Sequence, residues 1–133
     1  MRRRTLVHSL LGGGAAALLG ARATGPRNTG HARVVVLGGG VGGATAAHYL
    51  RTFSGNTLGV VLVEPNTAFL SCPMSTLVVA GVLPLASVTQ SYRPLQVQQG
   101  VTVVHDSVQS IDIARKTVQL ARGNAIRYDK LVL

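Results

Sequence analysis

The sequence predicts an α/β fold with a parallel sheet, and three observations carry that prediction. Val34–Leu37 is a continuous β-branched and apolar run, the pattern of a strand buried on both faces. Gly38, Gly40 and Gly43 follow at once in G-x-G-x-x-G spacing, with Gly39 and Gly42 adding further freedom. A second apolar run, Val60–Val63, then ends on Glu64, with Pro65-Asn66 stopping it. Strand, glycine turn, helix and a second strand tipped by an acid form the context in which this spacing points to a Rossmann-like dinucleotide fold.

Each element has a physical ground. From Val41 onward, Ala44, Ala47, His48, Tyr49 and Leu50 suit a helix, which Ser54-Gly55-Asn56 breaks. Gly38 permits the tight turn out of the strand. Gly40 lets the backbone approach a pyrophosphate, and Gly43 lets the helix lie close on the strand. Helix N–H groups then face the diphosphate with a favourable dipole. Glu64, 26 residues after Gly38, is placed to accept hydrogen bonds from an adenosine ribose. Its charge repels a 2′-phosphate, so the expected ligand is FAD or NAD rather than NADP. The competing reading is a glycine-rich turn that serves close packing alone.

Beyond Glu64 the signals are local. Ser91–Gln99 suits a short helix, with Pro94 in its first turn and Gly100 as its stop. Val101–His105 is a third strand, completing a βαβαβ unit. Val108–Ile113, Thr117–Ala121 and Ile126–Leu133 then read as a small antiparallel meander, turning at Arg115-Lys116 and at Arg122-Gly123-Asn124. His48 and His105 are expected to be structural. There is no internal repeat and no His/Cys spacing that suits a metal.

At 133 residues the chain suits one modest domain. An apolar share of 47% favours a folded core over disorder. The formal charge of +9 invites a nucleic-acid reading. Its distribution excludes one: Arg2, Arg3, Arg4 and Arg22 account for four of the 13 basic residues, and all four acids lie later. No basic stripe remains to track a phosphate backbone.

The basic residues near the start belong to a different signal. Residues 1–23 combine a basic beginning, an apolar stretch from Leu10 to Ala21 and a small-x-small end at Ala21-Arg22-Ala23. That is the anatomy of a secretory signal cleaved after Ala23. Arg3-Arg4-Thr5-Leu6-Val7 resembles the twin-arginine pattern, which implies export of an already folded, cofactor-loaded protein to the periplasm. The apolar stretch is too short and too glycine-rich to span ~30 Å of hydrocarbon, so no stable membrane anchor is expected after cleavage. An uncleaved anchoring helix is the alternative. Residues 24–32 suit a linker, and residues 33–133 form the dinucleotide-binding domain.

Cys72, the only cysteine, stands eight residues after Glu64. Three roles are open: a buried structural thiol, a reactive attachment point, or a disulfide partner for a cysteine beyond residue 133. RVVVLGGGVGGATAAHYLR, VVLVEPNTAFLSCPMS, GVTVVHDSVQSID and RYDKLVL together resemble the flavoprotein subunits of flavocytochrome c sulfide dehydrogenases. The glycine motif is widely shared. The cysteine after the ribose-binding acid, with Met74 and Ser75 behind it, is more specific.

The resemblance implies FAD as cofactor, joined through the sulfur of Cys72 to the flavin 8α-methyl carbon. It also implies that the backbone of Val108 meets the adenine. The expected activity is oxidation of an inorganic sulfur substrate, sulfide, with electrons passing through flavin to a c-type cytochrome subunit. The same resemblance makes residues 33–133 an incomplete FAD-binding domain. The redox cysteine pair, the second nucleotide domain and the cytochrome surface are expected beyond residue 133, so no catalytic residue is named here. A related sulfide:quinone or type II NADH dehydrogenase, or a non-catalytic nucleotide-binding remnant, are the alternatives.

Overall fold

A computed structural model describes residues 32–133. The expected signal at 1–23, its cleavage site, and the linker as far as His31 lie outside the described residues. In chain order the elements are β1 (Arg33–Leu37), α1 (Val41–Phe53), β2 (Gly59–Val63), β3 (Ala68–Leu70), α2 (Ser75–Val79), a 3-10 turn at Leu85–Val88, β4 (Thr89–Ser91), α3 (Arg93–Val97), β5 (Thr102–Val104), β6 (Val108–Asp112), β7 (Thr117–Leu120), β8 (Ala125–Arg127) and β9 (Lys130–Val132).

β5, β2, β1 and β9 form one parallel sheet in that spatial order. The alternation of side chains along β1 and β2 explains why both are apolar throughout. Val34, Val36, Val60 and Leu62 face one side and pack with Ala47 of α1, Tyr92 and Val101. Val35, Val61 and Val63 face the other side and pack with Val118 and Leu120 of β7. A strand covered on both faces has no position for a polar side chain. The second cover is the antiparallel meander β6-β7-β8 rather than a helix. Its turns fall where the sequence places them, with Lys116 and Gly123 at positive φ (51° and 87°).

Three expectations need correction. Ile126–Leu133 is not one strand of the meander. It divides at Tyr128-Asp129, and its second part becomes β9 beside β1. The cause is Asp129: its Oδ2 accepts the Arg33 N–H at 2.6 Å, and its own N–H donates to the Arg33 carbonyl at 2.8 Å. This pair pins the start of β9 to the start of β1. The helix expected over Ser91–Gln99 shortens to Arg93–Val97, because Ser91 is taken by β4, where it pairs with Ala68. Residues 64–92 also carry more structure than their turn-rich sequence suggests: the β3–β4 pair, α2 and the 3-10 turn.

Candidate functional site

With β2 and β9 on either side of β1, the strand order reverses at β1, and a ligand crevice is expected at the carboxyl ends there. Gly38 leaves β1 at φ +93°, a conformation that side chains resist, and its N–H donates to the Val63 carbonyl at 2.8 Å. The glycine turn is thereby tied to the tip of β2.

Gly39 is buried and held from two sides. Its N–H donates to Glu64 Oε2 at 2.7 Å, and its carbonyl accepts the Tyr92 hydroxyl at 2.8 Å. A Cβ at this position would lie 2.5 Å from Tyr92 Oη and 2.8 Å from Glu64 Cγ. Gly43 is as constrained, since its Cβ would stand 1.9 Å from the Gly38 carbonyl oxygen. The close crossing of α1 over the turn therefore exists, as both readings of the motif required.

Gly40 and Gly42 differ. A Cβ on either would meet nothing within 4 Å, so these two border open space. Gly40 caps α1 without a side-chain hydrogen bond, and the first turn holds no acid. The N–H groups of that turn lack intrahelical partners, and the helix dipole adds partial positive charge there. The opening between them can seat an anion.

Glu64 stands beside this opening at the end of β2, 8% exposed. Its Oε1 accepts the N–H of Asn66 at 2.9 Å and the Asn66 side-chain amide at 2.7 Å. With Gly39 on Oε2, three donors occupy the carboxylate, leaving about one lone pair for a further donor. Burial pushes its pKa up. The hydrogen bonds from Gly39 and Asn66, helped by the nearby His105, outweigh burial and hold it below the ordinary carboxylate value. Glu64 is therefore an anion at neutral pH. His105 Nδ1 lies 3.1 Å from the Glu64 carbonyl oxygen, a structural placement.

Val108 opens β6, opposite Leu120, just before a register shift. Its half-buried side chain packs on the second core cluster. Cys72 lies outside the Gly39–Glu64–Tyr92 cluster, on the loop between β3 and α2. It is exposed among the described residues. A tight turn presents it: the Cys72 carbonyl accepts the Ser75 N–H at 3.0 Å, and Met74 takes φ +69°.

Sequence reasoning missed Tyr92 and the double donation from Asn66. Asn66 reads only as a strand stop, and Tyr92, 28 residues after Glu64, belongs to no motif. A cleft of about 400 Å³ opens on the flank of α1 between Ala44, His48, Phe69 and Tyr92, beside the glycine turn rather than over it. Among the described residues, no three His, Cys, Asp or Glu side chains gather as metal ligands, and no helix is long and apolar enough to cross a membrane.

Comparison with known proteins accords with this geometry. The family model for pyridine nucleotide-disulphide oxidoreductases matches residues 32–133. The chain is 56% identical over 46 residues to the flavoprotein chain of a flavocytochrome c sulfide dehydrogenase from Chlorobaculum thiosulfatiphilum, covering 35% of this chain and 94% of that sequence. It is 30% identical over 100 residues to a sulfide-quinone reductase of Aquifex aeolicus, covering 75% of this chain and 23% of the relative. The crystal structure of the sulfide:quinone oxidoreductase from Aquifex aeolicus superposes with a TM-score of 0.70 at 29% identity, over 75% of this chain and 23% of that one. The chain thus spans less than a quarter of the length of these quinone-linked relatives.

Proposed function

The chain belongs to the pyridine nucleotide-disulphide oxidoreductase family, and from that membership we propose that it is the FAD-cradling portion of an exported sulfide-oxidising flavoprotein. One observation carries the proposal: a helix terminus capped by Gly40 with no side-chain hydrogen bond, and bordering open space, lies next to a buried carboxylate anion, Glu64. Those are the two groups an adenine dinucleotide requires, an anion seat and a ribose acceptor. Gly40 and the first turn of α1 would hold the diphosphate. Glu64 Oε2 would accept a ribose hydroxyl, and the backbone of Val108 would meet the adenine.

FAD when bound supplies an acceptor that takes electrons in pairs and releases them singly. Sulfide as donor and a c-type cytochrome as acceptor are drawn from the relative that is 56% identical. The exposed thiol of Cys72 supports tethering of the flavin through a thioether, which retains the cofactor after export. Periplasmic location follows from the twin-arginine resemblance at residues 3–7. Replacement of both Arg3 and Arg4 by lysine is expected to abolish export, and undiminished export would remove that element.

A second reading is a quinone-linked sulfide oxidoreductase. The 30% identity to a sulfide-quinone reductase over 75% of this chain supports it. One experiment separates the two. The full chain is produced with FAD and precipitated in acid. Colour that stays with the parent pellet and is released from Cys72→Ser supports the tethered, cytochrome-linked reading. Release from both supports the quinone-linked one. Colourless parent protein overturns the flavin assignment.

A further inference from the structure

We propose that the Tyr92 hydroxyl is a positioning group that aims the Gly40 N–H outward into the anion seat, acting through the peptide between Gly39 and Gly40. The proposal rests on the reading that this turn receives the diphosphate of FAD. A trans peptide directs its carbonyl and its N–H to opposite sides. The Gly39 carbonyl is drawn inward onto Tyr92 Oη at 2.8 Å. The Gly40 N–H of the same peptide is therefore turned away from Tyr92, and Gly40 borders open space, since a Cβ there would meet no atom within 4 Å.

Such a hold matters because the turn is three consecutive glycines, which rotate more freely than any other residues. Glu64 fixes the preceding peptide by accepting the Gly39 N–H. Without a second hold the Gly39–Gly40 peptide could turn over, placing a carbonyl oxygen where an anion must sit. Tyr92 is suited to supply it. The residue is 5% exposed and belongs to the core cluster of Val34, Val36, Val60, Leu62 and Val101, which restricts where its hydroxyl can stand. The hydroxyl itself lies so near Gly39 that no side chain fits between them. Through its hydroxyl Tyr92 acts on the backbone of the turn, at the Gly39 carbonyl, and it is a positioning residue.

The test uses Tyr92→Phe, which keeps the ring and removes the hydroxyl, in a full chain carrying Cys72→Ser so that cofactor binding is reversible. Loss of one neutral hydrogen bond is expected to weaken FAD affinity about five-fold. In the FAD-free protein, amide exchange at Gly39, whose N–H is held by Glu64, is expected to accelerate several-fold while the amides of β1 and β2 keep the parent rates. Unchanged exchange at the turn, or equal acceleration in turn and strands, would overturn the positioning role and leave Tyr92 as core packing. If the parent fails to take up FAD, the functional reading falls, and the exchange measurement alone still decides whether Tyr92 holds the turn. Parent-like FAD affinity alongside faster exchange would overturn the link to the anion seat.

Discussion

Glu64 accepts the Gly39 N–H at 2.7 Å across 25 residues of sequence, joining the tip of β2 to the turn that leaves β1. The acid read from the sequence as a ribose acceptor is thus also part of the frame that shapes the glycine turn. Oε1 is committed to Asn66 and Oε2 to Gly39, so the carboxylate is oriented before any ligand arrives. On the proposed function, cofactor recognition and local stability share this side chain, so substitutions there should act on both.

Acid should therefore weaken the fold through Glu64. Its pKa is lower in the folded chain than the ordinary 4.5, so its contribution is fully present above that value and is lost as pH falls through the lower folded value. Glu64→Gln replaces one acceptor oxygen by a donor facing an N–H group. At neutral pH it should destabilise by about 1.5–3 kcal/mol, the scale of hydrogen bonds to a charged group. Thermal melts from about pH 7 to about pH 3 should then show a steeper decline for the parent than for the variant. Parallel curves would mean that the carboxylate does not hold the turn.

The glycines of the motif should separate by substitution. Gly43→Ala drives a methyl to 1.9 Å from the Gly38 carbonyl oxygen, so turn and helix must part; a loss of about 3 kcal/mol is expected. Gly42→Ala adds a methyl in open space on α1 and should raise stability by about 0.5–1 kcal/mol, because alanine loses less backbone entropy in a helix. Denaturant titration of the pair checks the opposite signs.

Alkali should act through Tyr92. Burial, and then the Glu64 carboxylate, raise the Tyr92 pKa above its ordinary 10.0. A raised folded pKa gives a contribution that is complete below the unfolded value and is lost as pH climbs through the folded one. The parent should lose stability above about pH 10, and Tyr92→Phe should lose less, after starting about 1 kcal/mol lower at neutral pH. Melting temperatures across that range provide the measurement.

The legible part of the fold lies where neighbouring residues decide the outcome. β1, α1 and β2 came out within a residue of their expected starts, because β-branched runs, helical spacing and glycine breaks act over a few positions. Gly38, Gly40, Gly43 and Glu64 were recognisable for the same reason: strand–turn–helix sterics tie each to a narrow range of spacings. Residues 64–92 were less legible. β3 and β4 are three residues each and form only by pairing with one another, and a three-residue strand has too short a pattern to read.

From the order of amino acids alone came the parallel core strands, the glycine turn, the acid at its edge and a solitary thiol downstream. Contacts distant in sequence assigned the rest. They turned residues 130–132 away from the meander and into the main sheet, brought Cys72 to the surface, and set the Tyr92 hydroxyl against Gly39, 53 residues away. Local patterns restrict backbone angles. A hydrogen bond between residues far apart forms only once the core has brought its two ends together.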